Sequence, residues 1–280
     1  MKKRIILAVI ALLAFCTDGF CWCFGHKVVA HIAKQHLTPA TQQKLDYYLD
    51  GSIVEYSLWM DRFRYEPSVL ALNRSHMGVC NADMSCNPSK DSENGNIEAC
   101  IVYMTDLLKN HKQLCDSTVR TELKLLIHSV GDMHCPGHFY MFDMPAHKSG
   151  GKMVRGMKSK YGWFKFNYEG QEMTYHALWD VALERMYPEF ELKLGLFTKK
   201  IDSGVTREMA EDMIQGGPLD WGKDRNIRCR QIYDWVKPGD SIDHSFFDEH
   251  GWLVDEMMLK AGYRLAHVLN QIFDENYKGL

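Results

Sequence analysis

Apolar residues recur at helical spacing in segment after segment of this chain: KVVAHIAKQHL, TPATQQKLDYYL, SIVEYSLWMDRFR, NIEACIVYMTDLLKNH, STVRTELKLLIHSVGDMH, YHALWDVALERMY, REMAEDMIQ, WGKDRNIRCRQIYDWV and GWLVDEMMLKAGYRLAHVLNQIF. A period of three to four residues builds one buried stripe on a helix and cannot line one face of a strand, so the expected architecture is mostly α. Thr38 ahead of Pro39 supplies an N-cap and a first-turn proline. Period-two alternation is clear only in WFKFNYEGQEMTY, where Glu169-Gly170 would turn a small β-hairpin. The long loops near 65–95 and 143–163 are polar and rich in glycine, proline and serine, and no repeat or dividing linker interrupts the pattern. Residues 22–280 are therefore expected to form a single helical domain.

The first 21 residues read differently. Lys2-Lys3-Arg4 precede an apolar run at 5–15 that is too short and too early for a membrane span, which is the pattern of a secretory signal peptide. A cut after Cys21 puts Gly19 and Cys21 at the small-residue positions and leaves Trp22 as the new first residue. A lipid anchor on Cys16 or Cys21 is disfavoured because Phe15 or Phe20 would precede the modified cysteine. The mature chain is expected to be secreted or periplasmic, with no stable membrane span and no predicted protein partner.

Loss of Lys2, Lys3, Arg4 and Asp18 takes the formal net charge from -3 to -5. That balance excludes the basic surface by which proteins grip duplex nucleic acid, and an acidic substrate would need bound cations. Of nine cysteines, Cys23, Cys80, Cys86, Cys100, Cys115, Cys135 and Cys229 remain after processing, an odd number that leaves at least one thiol outside any internal disulfide. Cys80 and Cys86, flanking a short loop, are the expected local pair in an exported chain.

The segment LLIHSVGDMHCPGH concentrates chemistry. On a helix His128 and Asp132, four apart, share a face, whereas His134 lies on another. Cys135-Pro136-Gly137 ends the helix and leaves His138 on the turn beyond. Elsewhere stand Trp22 and His26 in WCFGH, Asp61 in LWMDRFR, His76 in NRSHMG, and His176 with Asp180, again four apart, in YHALWD. Imidazole and carboxylate suit zinc, and the four-residue spacing presents two of them to one ion. A lone histidine on an apolar helix face is ordinarily a hydrogen-bonded core residue, but two such His-Asp pairs on separate helices are harder to explain that way. His134 is expected to orient a ligand or to pack, and His31, His36, His111, His147, His244, His250 and His267 have no partner at ligand spacing.

HSVGDMHCPGH resembles the segment His-Phe-Val-Gly-Asp-Ile-His-Gln-Pro-Leu-His of the zinc-dependent single-strand-specific nuclease family of fungi and plants, the S-one and P-one nuclease family. WMDRFR, SHMG and HALWD match further family motifs in the same order, and KAGYRLAHVLNQIF resembles its closing helix, so the likeness spans the mature chain. The resemblance implies the helical fold shared with zinc-dependent phospholipase C and three Zn2+ ions. Asp61, His76, His128 and Asp132 would hold the first ion, with Asp132 bridging to a second held by His26 and the amino and carbonyl groups of Trp22. His138, His176 and Asp180 would hold the third. Asp61, Arg64 and Asp132 would be catalytic, Arg64 by donating to a phosphate oxygen. The implied reaction is hydrolysis of single-stranded DNA and RNA to 5'-nucleotides, with 3'-nucleotidase activity. Tyr140, Trp163 and Phe164 are candidates for stacking on bases, although core packing is the commoner use of an aromatic.

The chain departs from the family pattern in three places. The family histidine follows its tryptophan by five positions; here His26 follows Trp22 by four, with Cys23 in place of glycine. Either the first turn is tighter or the chain begins at Cys21, and the small-residue rule favours Trp22. The family's Gly-Gly-Asn is Gly150-Gly151-Lys152, and Val181 stands where an asparagine often follows the last ligand. Two alternatives stay open: a zinc-dependent phospholipase C, which typically has glutamate where Asp180 stands, and a non-catalytic exported metal-binding protein.

Overall fold

Helical periods become helices throughout the computed structural model, which describes residues 22–63, 66, 77–81, 83–86, 97–141, 147–149, 152–154, 164–188 and 193–279. Residues 1–21, expected to be a signal peptide, and the candidates Arg64, His76 and Trp163 lie outside the described residues. α1 (Cys23–Gln35) has no acidic residue in its first turn, and Glu184 supplies one from far along the chain: its Oε1 accepts from the Phe24 amide at 3.1 Å. α2 (Pro39–Tyr48) starts as expected, with Thr38 Oγ1 accepting from the Thr41 amide at 3.2 Å.

The segment SIVEYSLWMDRFR forms two short helices rather than one, α3 (Ile53–Tyr56) and α4 (Trp59–Phe63). Ser57 sits at the break: its hydroxyl donates to the Val54 carbonyl at 2.8 Å, and its own carbonyl accepts from His128 Nδ1 at 2.7 Å. A serine that bonds locally competes with the helical ladder, and here the released carbonyl serves another element.

α5 (Ile97–Lys109) and α6 (Asp116–His134) follow, then α7 (Tyr175–Asp180) and α8 (Ala182–Met186), which Val181 separates at φ -110°. α9 (Leu194–Asp202) and α13 (Ser245–His250) were not marked by the periodicity. α10 (Arg207–Met213), α11 (Pro218–Cys229), α12 (Ile232–Trp235) and α14 (Trp252–Phe273) complete the helices of the described residues. The predicted hairpin pairs β5 (Lys165–Tyr168) with β6 (Gln171–Thr174) through Glu169 and Gly170. Both turn residues are left-handed, φ 49° and 83°, as a two-residue hairpin loop requires. β1 (Gly78–Cys80) runs parallel to β2 (Phe139–Met141), the strand that follows the CPGH turn. β3 (His147–Ser149) pairs with β4 (Lys152–Val154), and β7 (Ser241–Ile242) adds to β5.

The core is built where α1, α6 and α14 pack together, and its buried apolar residues run from Trp22 to Phe273 as one connected cluster. Val28, Ile32, Leu126, Val130, Leu265 and Leu269 are at most 1% exposed. Full burial of such side chains contributes roughly 1.5–3 kcal/mol each. No helix of the described residues is long and apolar enough to cross a membrane. The expected Cys80–Cys86 disulfide is not formed: the two residues meet through an isolated backbone bridge, and the Cys86 thiol donates instead to the Leu219 carbonyl at 3.3 Å.

Two buried polar ties fix the end of α6. Arg225, on α11, pairs with Glu98, on α5, and both side chains are fully buried. The same guanidinium donates to the carbonyls of Met133 at 3.0 Å and His138 at 3.3 Å, so it braces both sides of the CPGH turn. The His138 carbonyl also accepts from the Gly78 amide at 2.8 Å. From α14, Arg264 donates to His134 Nε2 at 2.9 Å, to the Met213 carbonyl and to Asp224.

Candidate metal centre

Four residues apart on α6, His128 and Asp132 point the same way, with Nε2 and Oδ2 at 3.0 Å. The Ser57 carbonyl takes the Nδ1 proton of His128 and thereby turns Nε2, the other nitrogen, toward the carboxylate. His26 arrives from α1 and stacks on His128 at 4.1 Å between ring centres and 16° between planes, its Nε2 3.2 Å from Asp132 Oδ1. Asp61, from α4, comes within 3.8 Å of His128 Nε2.

Asp132 also faces the turn after its own helix. Its Oδ1 lies 3.1 Å from His138 Nδ1, and the other nitrogen of that ring is 3.0 Å from Asp180 Oδ1. His176, one turn before Asp180 on α7, approaches Asp180 Oδ2 at 3.3 Å and stacks on His138 at 4.9 Å. Its Nδ1 donates to the Gly137 carbonyl at 3.1 Å, which again fixes Nε2 as the inward nitrogen. Cys135, the residue that ends α6, joins this half: ligand atoms of Cys135, His138 and Asp180 all lie within 4.8 Å of one another, as do those of His26, His128 and Asp132.

The cluster is recessed: His26, His128, Asp132, His138 and Asp180 are at most 1% exposed and His176 8%. Burial, and then the neighbouring His128, hold His26 below the usual imidazole range. Burial works against charge on His128 too, but Asp132 and Asp61 outweigh it and hold that ring up to about 9. Two stacked imidazoles at this distance do not both carry a proton readily, so the ring nearer both carboxylates takes it. Burial raises the Cys135 thiol, opposed by His138. Among the described residues, both ring nitrogens of His26 and Nε2 of His128 are buried without a hydrogen bond of normal geometry. Inward imidazole nitrogens that lack such bonds, set around a bridging carboxylate, are the donor arrangement that fits a divalent transition metal.

The sequence profile of the S1/P1 nuclease family matches residues 21–274 of the chain. The chain belongs to the S1/P1 nuclease family. It is similar to Nuclease S1 of Aspergillus oryzae, 23% identical over 278 residues that cover 89% of this chain and 90% of that protein. Endonuclease 2 of Arabidopsis thaliana is 25% identical over 281 residues, 89% of each chain, and Endonuclease 1 of the same plant is 20% identical over 279 residues, 90% and 87%. This member of the family is thus a nuclease, a hydrolase acting on nucleic acid, in a metal-dependent family whose fold is helical.

Seven of the nine residues expected as ligands in this S1/P1 nuclease lie among the described residues with side chains that converge: His26, Asp61, His128, Asp132, His138, His176 and Asp180. An eighth, Trp22, is fully buried one turn before His26, its carbonyl accepting from the His26 amide at 2.9 Å. α1 starts at Cys23, so the tryptophan and the histidine stand one helical turn apart. His76 and Arg64 lie outside the described residues. His134 is away from the cluster, bonded to the Val130 carbonyl and to Arg264. His31, His36, His111 and His267 bond to other groups, and His250 stacks on Trp235 at 3.9 Å. Phe164 is 5% exposed and packs on Tyr175 at 5.1 Å, so it belongs to the core and offers no face to a base. Cys135 joins the candidate group without having been expected there, and its Cys-x-x-His spacing to His138 is the sequence signal that marks it.

Proposed function

We propose that this nuclease hydrolyses single-stranded DNA and RNA to 5'-nucleotides, with 3'-nucleotidase activity, at a centre of three zinc ions. Asp61, His76, His128 and Asp132 would hold one ion; His26, Asp132 and the amino and carbonyl groups of Trp22 a second; His138, His176 and Asp180 the third. The observation that carries this reading is the Asp132 carboxylate, which stands within 3.2 Å of ring nitrogens of His26, His128 and His138 at once. Bound there, zinc supplies Lewis acidity toward phosphate oxygens and lowers the pKa of water toward neutrality.

The chain's own residues do the rest. Ser57 and Gly137 fix the tautomers of His128 and His176 through their carbonyls. Arg225 holds the backbone on both sides of the turn that carries His138. Asp61 and Asp132 balance the cationic charge of the centre, and Arg64 donates to a phosphate oxygen as charge grows on it. An unpaired strand is preferred because its phosphates can approach recessed ligands while its bases stay accessible. The acidic net charge makes the cations the element that attracts the substrate.

Residues 22–280 act as one domain, secreted or periplasmic, once the signal peptide has been cut after Cys21. That cut frees the Trp22 amine, whose reference pKa of about 7.7–8.0 lets it lose a proton to a metal. The test is incubation of the mature, zinc-loaded protein with single-stranded DNA, RNA, a 3'-mononucleotide and phosphatidylcholine, with and without chelator, alongside N-terminal sequencing and elemental analysis. Chelator-sensitive hydrolysis of the nucleic acids with three zinc ions per chain is expected. Cleavage of phosphatidylcholine alone would reassign it as a phospholipase, and no hydrolysis of any substrate would leave a metal-binding protein.

A further inference from the structure

Cys135 occupies the position where the family segment carries glutamine, and the structure sets it among ligands. It is fully buried, it ends α6, and its sulfur lies within 4.8 Å of ligand atoms of both His138 and Asp180. The Arg225 brace and the bond from the His138 amide to the Cys135 carbonyl, 3.0 Å, fix its distance from His138. Cys229 is just as buried, yet of the described thiols only Cys135 belongs to a group of three candidate ligand residues. The sulfur belongs to the buried core and at the same time lies within reach of an imidazole and a carboxylate, three groups that one divalent cation would satisfy together.

We infer that Cys135 is a fourth protein ligand, as its thiolate, to the ion held by His138, His176 and Asp180. The inference rests on the three-ion reading above. On binding, the sulfur–hydrogen bond breaks, a sulfur–metal bond forms, and one proton leaves to solvent. Two imidazoles, one carboxylate and one thiolate fill a tetrahedral set and cancel the charge of a divalent ion. With this fourth protein group, the residues that would hold the third ion supply a complete tetrahedral donor set without solvent. A thiolate in the set would favour a borderline-soft ion such as zinc over hard oxygen-loving cations.

Cobalt(II) is the probe, added to the metal-free mature chain and counted by elemental analysis while the near-ultraviolet spectrum is followed. Wild type is expected to take up three ions and to develop a sulfur-to-cobalt charge-transfer band; Cys135→Ser should lose that band, and Cys115→Ser, altered at an exposed thiol, should keep it. Three bound ions with no band, or a band that survives in Cys135→Ser, overturns the thiolate ligand and leaves the three-ion reading standing. Fewer than three ions in wild type overturns that reading and this inference with it. A measurement on wild type alone guards against a variant that fails to fold: zinc-edge X-ray absorption should contain one sulfur neighbour at about 2.3 Å for every three ions. Its absence also overturns the assignment.

Discussion

A Cβ on Gly131 would stand 2.4 Å from Nδ1 of His26. At this contact between α1 and α6 the residue on α6 has no side chain, and the His26 ring fills the space one residue before Asp132. Gly131→Ala improves intrinsic helix propensity by about 1 kcal/mol, but the methyl must push the imidazole away. The variant is expected to lose roughly 1–3 kcal/mol of stability by overpacking and at least about 10-fold in activity by displacing His26. Normal activity and metal content in Gly131→Ala, measured with its denaturant midpoint, would mean that His26 is not held where the structure places it.

Asp132 touches both halves of the cluster, so Asp132→Asn should disable both. Loss of a residue that merely orients a ligand costs about 10–100-fold, and a bridging group should cost at least about 100-fold in hydrolysis. Elemental analysis should find fewer bound ions. Retention of the wild-type count would show that the carboxylate does not bridge.

His134 lies inside the same motif and should behave in the opposite way. Burial, and then Arg264, hold its ring well below the usual imidazole range, so it stays a neutral acceptor. His134→Ala removes a buried bond and leaves a cavity, with an expected cost of about 2–4 kcal/mol in urea unfolding and an unchanged metal count. A lower metal count in folded His134→Ala would make it part of the centre after all.

Much of this was legible in the residues themselves. The helical periods, the Thr-Pro start of α2 and the Glu-Gly hairpin are local signals, and local signals survive folding. The His-x-x-x-Asp pairs were legible because helix geometry alone puts both members on one side. What could not be read depends on distant partners. The break at Ser57 exists because its carbonyl serves His128, 71 residues away, and the cap of α1 comes from Glu184, 160 residues on. Cys135 was read only as a helix end, since its nearness to Asp180 follows from how α7 packs beneath the CPGH turn.

Asp224 ties α11 to α14 through Lys260 at 2.9 Å and Arg264 at 2.7 Å. Burial opposes its charge, but these cations outweigh burial and hold its carboxyl below the usual range. A depressed folded value means that the stabilisation is full above the unfolded value of about 3.9 and fades as pH falls through the folded one. Asp224→Asn should therefore cost about 2–3 kcal/mol at pH 7, and the gap from wild type should narrow as acid is added below pH 4. A gap that stays constant down to the acid transition would remove the ion pair as its cause.

Removal of zinc should be felt by the whole fold. A site that binds the folded chain alone adds about 4 kcal/mol when free metal exceeds its Kd a thousandfold. Thermal unfolding of chelated protein is expected well below that of the loaded form, with recovery on adding zinc back. Identical melting curves would place the ions, if bound at all, on a surface that folding does not build.

The His26 and His128 rings belong to two helices pressed together through the middle of the molecule, and that has a kinetic corollary. Whatever loosens the packing of α1 on α6 loosens the cluster with it, so the amides of these two helices are expected to exchange more slowly in metal-loaded than in chelated protein.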